Sequence, residues 1–150
     1  MKKVKNVVKI VLVILLAAYF LGPKPSVFVL DANAAPSKDP IDFNLAYVAE
    51  SIAIKESKLS IRSGNESQLY WADSSGKKTK YVLLYLHGFS ASPEEGAPVH
   101  LSFAKKYGMN FYAPLLQGHG LVAREPMIAF TAEGFINLSK TAISTASFMR

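Results

Sequence analysis

Three histidines stand in the chain, at positions 87, 100 and 119, and two of them are followed or flanked by glycine in short loops. His87-Gly88-Phe89-Ser90-Ala91-Ser92 comes directly after the apolar run Lys80–Leu86, and Gln117-Gly118-His119-Gly120 directly after Asn110–Leu116. A glycine at position 88 lets the backbone approach a bound group with no Cβ in the way. Acyl-transfer chemistry asks for such a loop, because ester cleavage passes through a tetrahedral oxyanion that needs preorganised N–H donors about 3 Å away. The plain alternative is a bare strand-to-loop turn at His87-Gly88. A metal site is the other candidate, since His87 and His119 would end neighbouring strands. No acidic residue stands close to either in sequence as a further ligand, so neither a metal nor any other cofactor is expected. His100 falls within a helical stretch and reads as a surface or packing residue. The chain has no cysteine, which excludes disulfides, thiolate zinc sites and a cysteine nucleophile.

The elements that would position these loops can be read from periodicity. From Asp42 to about Lys58 the residues Leu45, Val48, Ala49 and Ile52 recur at the spacing of an amphipathic helix. Gln68–Ala72 reads as a short strand between turn-rich flanks. Lys80–Leu86 is nearly all apolar, as in a strand covered on both faces, and the short gap between these two runs predicts an antiparallel hairpin. Ser92-Pro93-Glu94-Glu95 has the marks of a helix start, although Pro98 could delay the regular helix to that point. Leu101, Ala104 and Tyr107 would line its buried side, and Gly108 would stop it. Asn110–Leu116 is the next strand, with Pro114 near its end. Thr131 can cap a last helix whose stripe is Leu138, Ala142, Ala146 and Met149. Alternating strands and helices predict an α/β sheet built on βαβ crossovers.

With both glycine-bounded motifs at the ends of successive strands, the chain resembles the α/β-hydrolase superfamily, and within it the bacterial carboxylesterase and monoacylglycerol-lipase branch. That branch has HGF with a small-residue loop, then a helix, a strand reading A-P, and a GHG turn. The resemblance covers about Gln68 to Arg150. It implies an oxyanion loop in which the Phe89 N–H is a donor and His87 and Gly88 shape the backbone. It implies a structural turn at Gly118, His119 and Gly120, and a small ester or lipid as substrate of complete relatives. In such enzymes the nucleophile is a serine in G-x-S-x-G after the next strand, with the acid and histidine further on. No serine here has glycine two residues before and two after. The chain therefore reads as the N-terminal part of an α/β-hydrolase sheet with flanking helices, ending before the triad and inactive alone. The alternative is a membrane-anchored, non-catalytic binding or structural module derived from the same fold.

The net charge is +6, and residues 1–35 hold Lys2, Lys3, Lys5, Lys9 and Lys24 against Asp31 alone, so the basic balance belongs mostly to the leader. The sparse, mixed charge that follows argues against nucleic acid as a partner. Lysines followed by the apolar run of residues 7–21 form the pattern of a secretory signal or signal-anchor. The run is somewhat short of the roughly 20 residues of a bilayer span, but Lys9 can snorkel toward the headgroups. The positive-inside rule then sends everything after Pro23 out of the cytoplasm, as an anchored or secreted domain. Ala32-Asn33-Ala34 offers a small-x-small cleavage pattern, and an uncleaved anchor is favoured. The expected organisation is a leader over 1–22, a linker over 23–40 carrying four prolines, and an incomplete hydrolase domain over 41–150.

Overall fold

The computed structural model describes residues 2–24 and 45–150. The chain forms two compact units, Met1–Leu30 and Asp31–Arg150. The first unit holds helix α1, Lys2–Leu21, of 20 residues. No glycine or proline interrupts these residues, and the helix stops where Gly22-Pro23 begins, with the Gly22 N–H donating to Ala18 O at 2.9 Å. Its window Val4–Leu21 has a mean hydropathy of 2.2, and none of it is buried. The helix is longer than the apolar run of residues 7–21 because Lys2–Asn6 join its first turns. Twenty residues at a rise of about 1.5 Å give roughly the thickness of a bilayer core. Most of the expected linker, with Ala32-Asn33-Ala34 in it, lies outside the described residues, as do residues 41–44.

The second unit is mixed α/β: helix α2 (Leu45–Glu56), strands β1 (Gln68–Tyr70) and β2 (Val82–Leu84), helix α3 (Val99–Lys106), strand β3 (Asn110–Ala113) and helix α4 (Ala132–Phe148). The strands form one three-stranded sheet in the order β1-β3-β2. β2 and β3 are parallel, with Val82 opposite Asn110 and Leu84 opposite Tyr112. β1 runs antiparallel to β3, with Gln68 opposite Ala113 and Tyr70 opposite Phe111. The predicted hairpin between the first two strands does not form, because β3 lies between them.

Asn110 supplies the physical reason. It is fully buried at the first position of β3. Its side-chain oxygen accepts from the Ala72 N–H at 3.0 Å, and its amide nitrogen donates to Lys77 O and Met149 O, each at 2.9 Å. Two backbone groups of the β1–β2 connection, Ala72 N–H and Lys77 O, are thus held by this one side chain together with Met149 O at the end of α4. A buried amide with all its partners satisfied stabilises the connection it bridges, whereas each partner left unpaired would cost about 1–3 kcal/mol.

Because side chains alternate along a strand, β3 faces two cores. Phe111 and Ala113 pack with Ala104 and Leu101 of α3, while Tyr112 packs with Ala142 and Met149 from the α4 end and with Ile52 of α2. All four β3 residues are buried. The strand covered on both faces is therefore β3 rather than β2, whose three residues are only half-buried at the sheet edge. Helix α4 follows its expected pattern, with Thr131 Oγ1 accepting from the Gly134 N–H at 3.0 Å and Ala142, Ala146 and Met149 buried. Such a cap is worth about 1 kcal/mol. Ser92 makes no capping hydrogen bond. Pro93–Gly96 is a 3-10 turn, and α3 starts only after Pro98. Gly108, at φ +60°, ends that helix, and Tyr107 is exposed rather than lining it.

Candidate functional site

Parallel pairing in register brings the C-terminal ends of β2 and β3 side by side, so the loops that follow them meet. His87 is 4% exposed. Its Nε2 accepts from the Leu116 N–H at 3.2 Å, which places the ring proton on Nδ1, where it donates to Gly88 O at 3.0 Å. The histidine thus ties one strand exit to the other and holds its own loop. Protonating Nε2 would break the bond to Leu116. Burial is the first cause that pushes the imidazole below its ordinary value.

His119 is 2% exposed, and its ring centroid lies 5.0 Å from that of His87, edge to face. Its Nδ1 donates to Gln117 O at 2.8 Å. That leaves Nε2 as an acceptor, buried and without a partner among the described residues. The turn around it is shaped by backbone: the His119 N–H donates to Leu116 O at 3.1 Å, and Gly118 sits at φ +74°. A Cβ at Gly118 would come within 2.8 Å of Pro126 O, so glycine is required twice over. A short antiparallel clasp holds the far side, with Arg62 N–H donating to Gly120 O and Val122 N–H to Ser60 O, each at 2.8 Å.

The loop after His87 carries the exposed group. Phe89 is 73% exposed, and its ring lies 5.8 Å from His119 and 5.4 Å from Phe130. Among the described residues the Phe89 N–H has no hydrogen-bond partner. The neighbouring Gly88 N–H is differently placed: it donates to Glu95 Oε2 at 2.8 Å, which also accepts from the Tyr85 hydroxyl at 3.2 Å. The Gly88 N–H is the first cause that holds the Glu95 carboxyl below its ordinary value. Ser90 follows at φ 67°, an uncommon conformation for a side-chain-bearing residue. The Ala91 N–H closes the turn on Gly88 O at 3.2 Å.

Behind the second loop lies a cavity of about 430 Å³ between α2, α4 and the β3 exit, with walls that include Val48, Ile52, Leu116, Leu138 and Ala142. Tyr112 and His119 also line it. The Tyr112 hydroxyl is pushed up to about 12, by burial first and then by the Glu56 carboxylate. An apolar cavity with a few polar groups suits an alkyl or acyl group better than a charged one.

The sequence singled out His87, Gly88, Phe89, Gly118, His119 and Gly120, and the two loops they form are in contact through the ring pairs above. Glu95, Tyr85 and Phe130 join them without having been foreseen. A glutamate seven residues after a loop glycine is not a pattern that spacing can reveal. His100 is buried, with Nε2 donating to Pro93 O at 3.0 Å and its ring 4.8 Å from Phe111, so it packs against the other face. Among the described residues no group of three or more histidine and acidic side chains is arranged to hold a metal ion. Comparison with protein families, with characterised proteins and with solved structures finds no match.

Proposed function

We propose that residues 41–150 are the N-terminal part of a serine ester hydrolase domain of the carboxylesterase or lipase type, carried by a membrane-targeting helix on the outer side of the cytoplasmic membrane. The observation that carries this reading is the N–H of the exposed residue Phe89, without a partner among the described residues, on a loop that His87 and Glu95 hold in place. A donor fixed in that way needs no reorganisation when negative charge develops on a carbonyl oxygen. In this reading Glu95 commits the Gly88 N–H, so that Phe89 alone offers a donor from this loop. Gly88 keeps the approach open, and the Gly118–Gly120 turn with Phe130 walls the site. The 430 Å³ cavity beside His119 supports an alkyl or acyl substituent on the substrate. The uncovered apolar α1, with lysines at its start, supports the membrane part of the proposal.

No nucleophile elbow stands in the sequence, so the chain by itself is proposed to be inactive. Removing a whole triad leaves only residual catalysis from oxyanion and binding contacts. The purified chain should not turn over a p-nitrophenyl ester above background. Turnover that a serine substitution abolishes would contradict the proposal. The DNA immediately 3′ of the Arg150 codon gives the second test. A strand-like run followed by G-x-S-x-G in any frame supports a hydrolase part, and its absence from every frame favours a non-catalytic anchored module.

A further inference from the structure

The second unit has two ends, and its charge is not shared between them. Over residues 45–150 the chain carries eleven basic and eight acidic side chains. The end at the start of the parallel strands gathers Lys77, Lys78 and Lys80, which lead into β2, and Lys105 and Lys106, which close α3 just before β3. Their company is fixed by named contacts. Thr79 N–H donates to Met149 O at 3.3 Å, Asn110 holds Lys77 O, and the Met109 N–H donates to Ala104 O at 2.9 Å. Among the described residues, the only acid that these contacts bring to this end is Asp73, 3.8 Å from Lys77 across an exposed turn. Five lysines against one aspartate exceed the net charge of the whole described unit, so the remainder of its surface is close to balance.

Aromatic rings are interleaved with these lysines. Lys78 lies 4.3 Å over Phe148, Lys80 5.3 Å over Tyr81, Lys105 5.5 Å over Tyr70 and Lys106 5.6 Å over Tyr107. Tyr81 and Tyr107 are more than half exposed, at 57% and 55%. Cations and amphipathic rings on one rim match a bilayer interface, where the ammonium groups reach phosphates and the rings settle at headgroup level. Nucleic acid offers the same phosphates, but this chain also carries an apolar 18-residue window long enough to cross a bilayer, which favours a lipid surface over nucleic acid as the partner.

We infer that the Lys77–Tyr81 segment and the Lys105–Tyr107 end of α3 form a docking surface for the headgroups of an anionic membrane. The inference does not rest on the hydrolase reading. It puts the loops of Phe89 and His119, at the opposite end of the strands, on the side turned away from the lipid. Each lysine near an anionic surface multiplies partitioning roughly fivefold at low salt, so the five together act strongly and fade as salt shortens the screening length.

The chain's lack of cysteine makes the test clean. A fluorophore is attached to the full chain through Tyr107→Cys, or through Val122→Cys at the opposite end, and the protein is reconstituted in vesicles carrying a headgroup-linked quencher. In an equimolar mixture of phosphatidylcholine and phosphatidylglycerol, the probe at position 107 should be quenched several-fold more than the one at position 122. High salt, pure phosphatidylcholine, and the exposed double substitution Lys105→Glu/Lys106→Glu should each remove the difference. Equal quenching at the two positions, or a difference that persists in pure phosphatidylcholine, overturns the inference. So does release of the position 107 probe from anionic vesicles by duplex DNA at equal phosphate concentration, which would assign the surface to nucleic acid instead.

Discussion

The two ends of the β2–β3 pair are built to different standards. At the strand starts, the Asn110 amide reaches three backbone groups, and its own N–H donates to Thr79 Oγ1 at 3.1 Å. At the strand exits, His119 buries an unpartnered nitrogen, Phe89 exposes a large ring, and Ser90 adopts a left-handed backbone. Unsatisfied or strained groups are costly, and they tend to persist where a ligand or a reaction makes use of them. The first end explains why the sheet holds together, and the second is where binding should be sought.

That contrast can be broken by substitution. Asn110→Ala should have the largest effect, lowering stability by about 3–4 kcal/mol, because it opens a cavity at a fully buried position and takes their side-chain partner from Ala72 N–H and Lys77 O, while Met149 O keeps the Thr79 N–H; urea unfolding of the full chain measures it. His87→Ala should cost about 2–4 kcal/mol, from the lost ring volume and the stranded Leu116 N–H. His87 also sets a pH dependence. Its folded-state value lies below 6.5, so its contribution is complete above 6.5 and is lost as pH falls through the folded-state value. The urea midpoint of the native chain should therefore drop on acidification below 6.5, and His87→Gln should flatten that part of the curve. His119→Phe should have the smallest effect, within about 1 kcal/mol, since losing the bond to Gln117 O is offset by removing a buried, unpaired nitrogen. A loss at His119→Phe as large as at His87→Ala would erase the distinction between the two histidines.

Much of this organisation could be read from the sequence wherever one residue type dictates the local backbone. Thr131 announced the α4 cap, Gly108 the end of α3, and Ala142 and Met149 the buried stripe. The order of the strands could not be read in this way. The gap between the apolar runs Gln68–Ala72 and Lys80–Leu86 is short enough for a hairpin loop, and only the tertiary placement of Asn110 shows why the pair is split. An asparagine at the head of an apolar run looks like a strand boundary, not like the hub of a sheet. The same limit hid Glu95, whose tie to Gly88 depends on a 3-10 turn folding back over the loop. The histidine loops were legible because glycine and histidine directly after two apolar runs form a sparse and regular signal.

An oxyanion site at this loop requires the Phe89 amide to be an available donor beside a neighbour that is already engaged. Titrating the isotope-labelled full chain with a short alkylphosphonate, an oxyanion mimic, and following backbone amide protons by NMR tests this directly. The Phe89 proton should move downfield more than any other, Gly88 should stay in place, and Phe89→Pro, which removes the N–H, should abolish the response. If the largest shift falls elsewhere, or Phe89→Pro responds as the native chain does, the loop is a structural turn and the assignment of an oxyanion site is wrong.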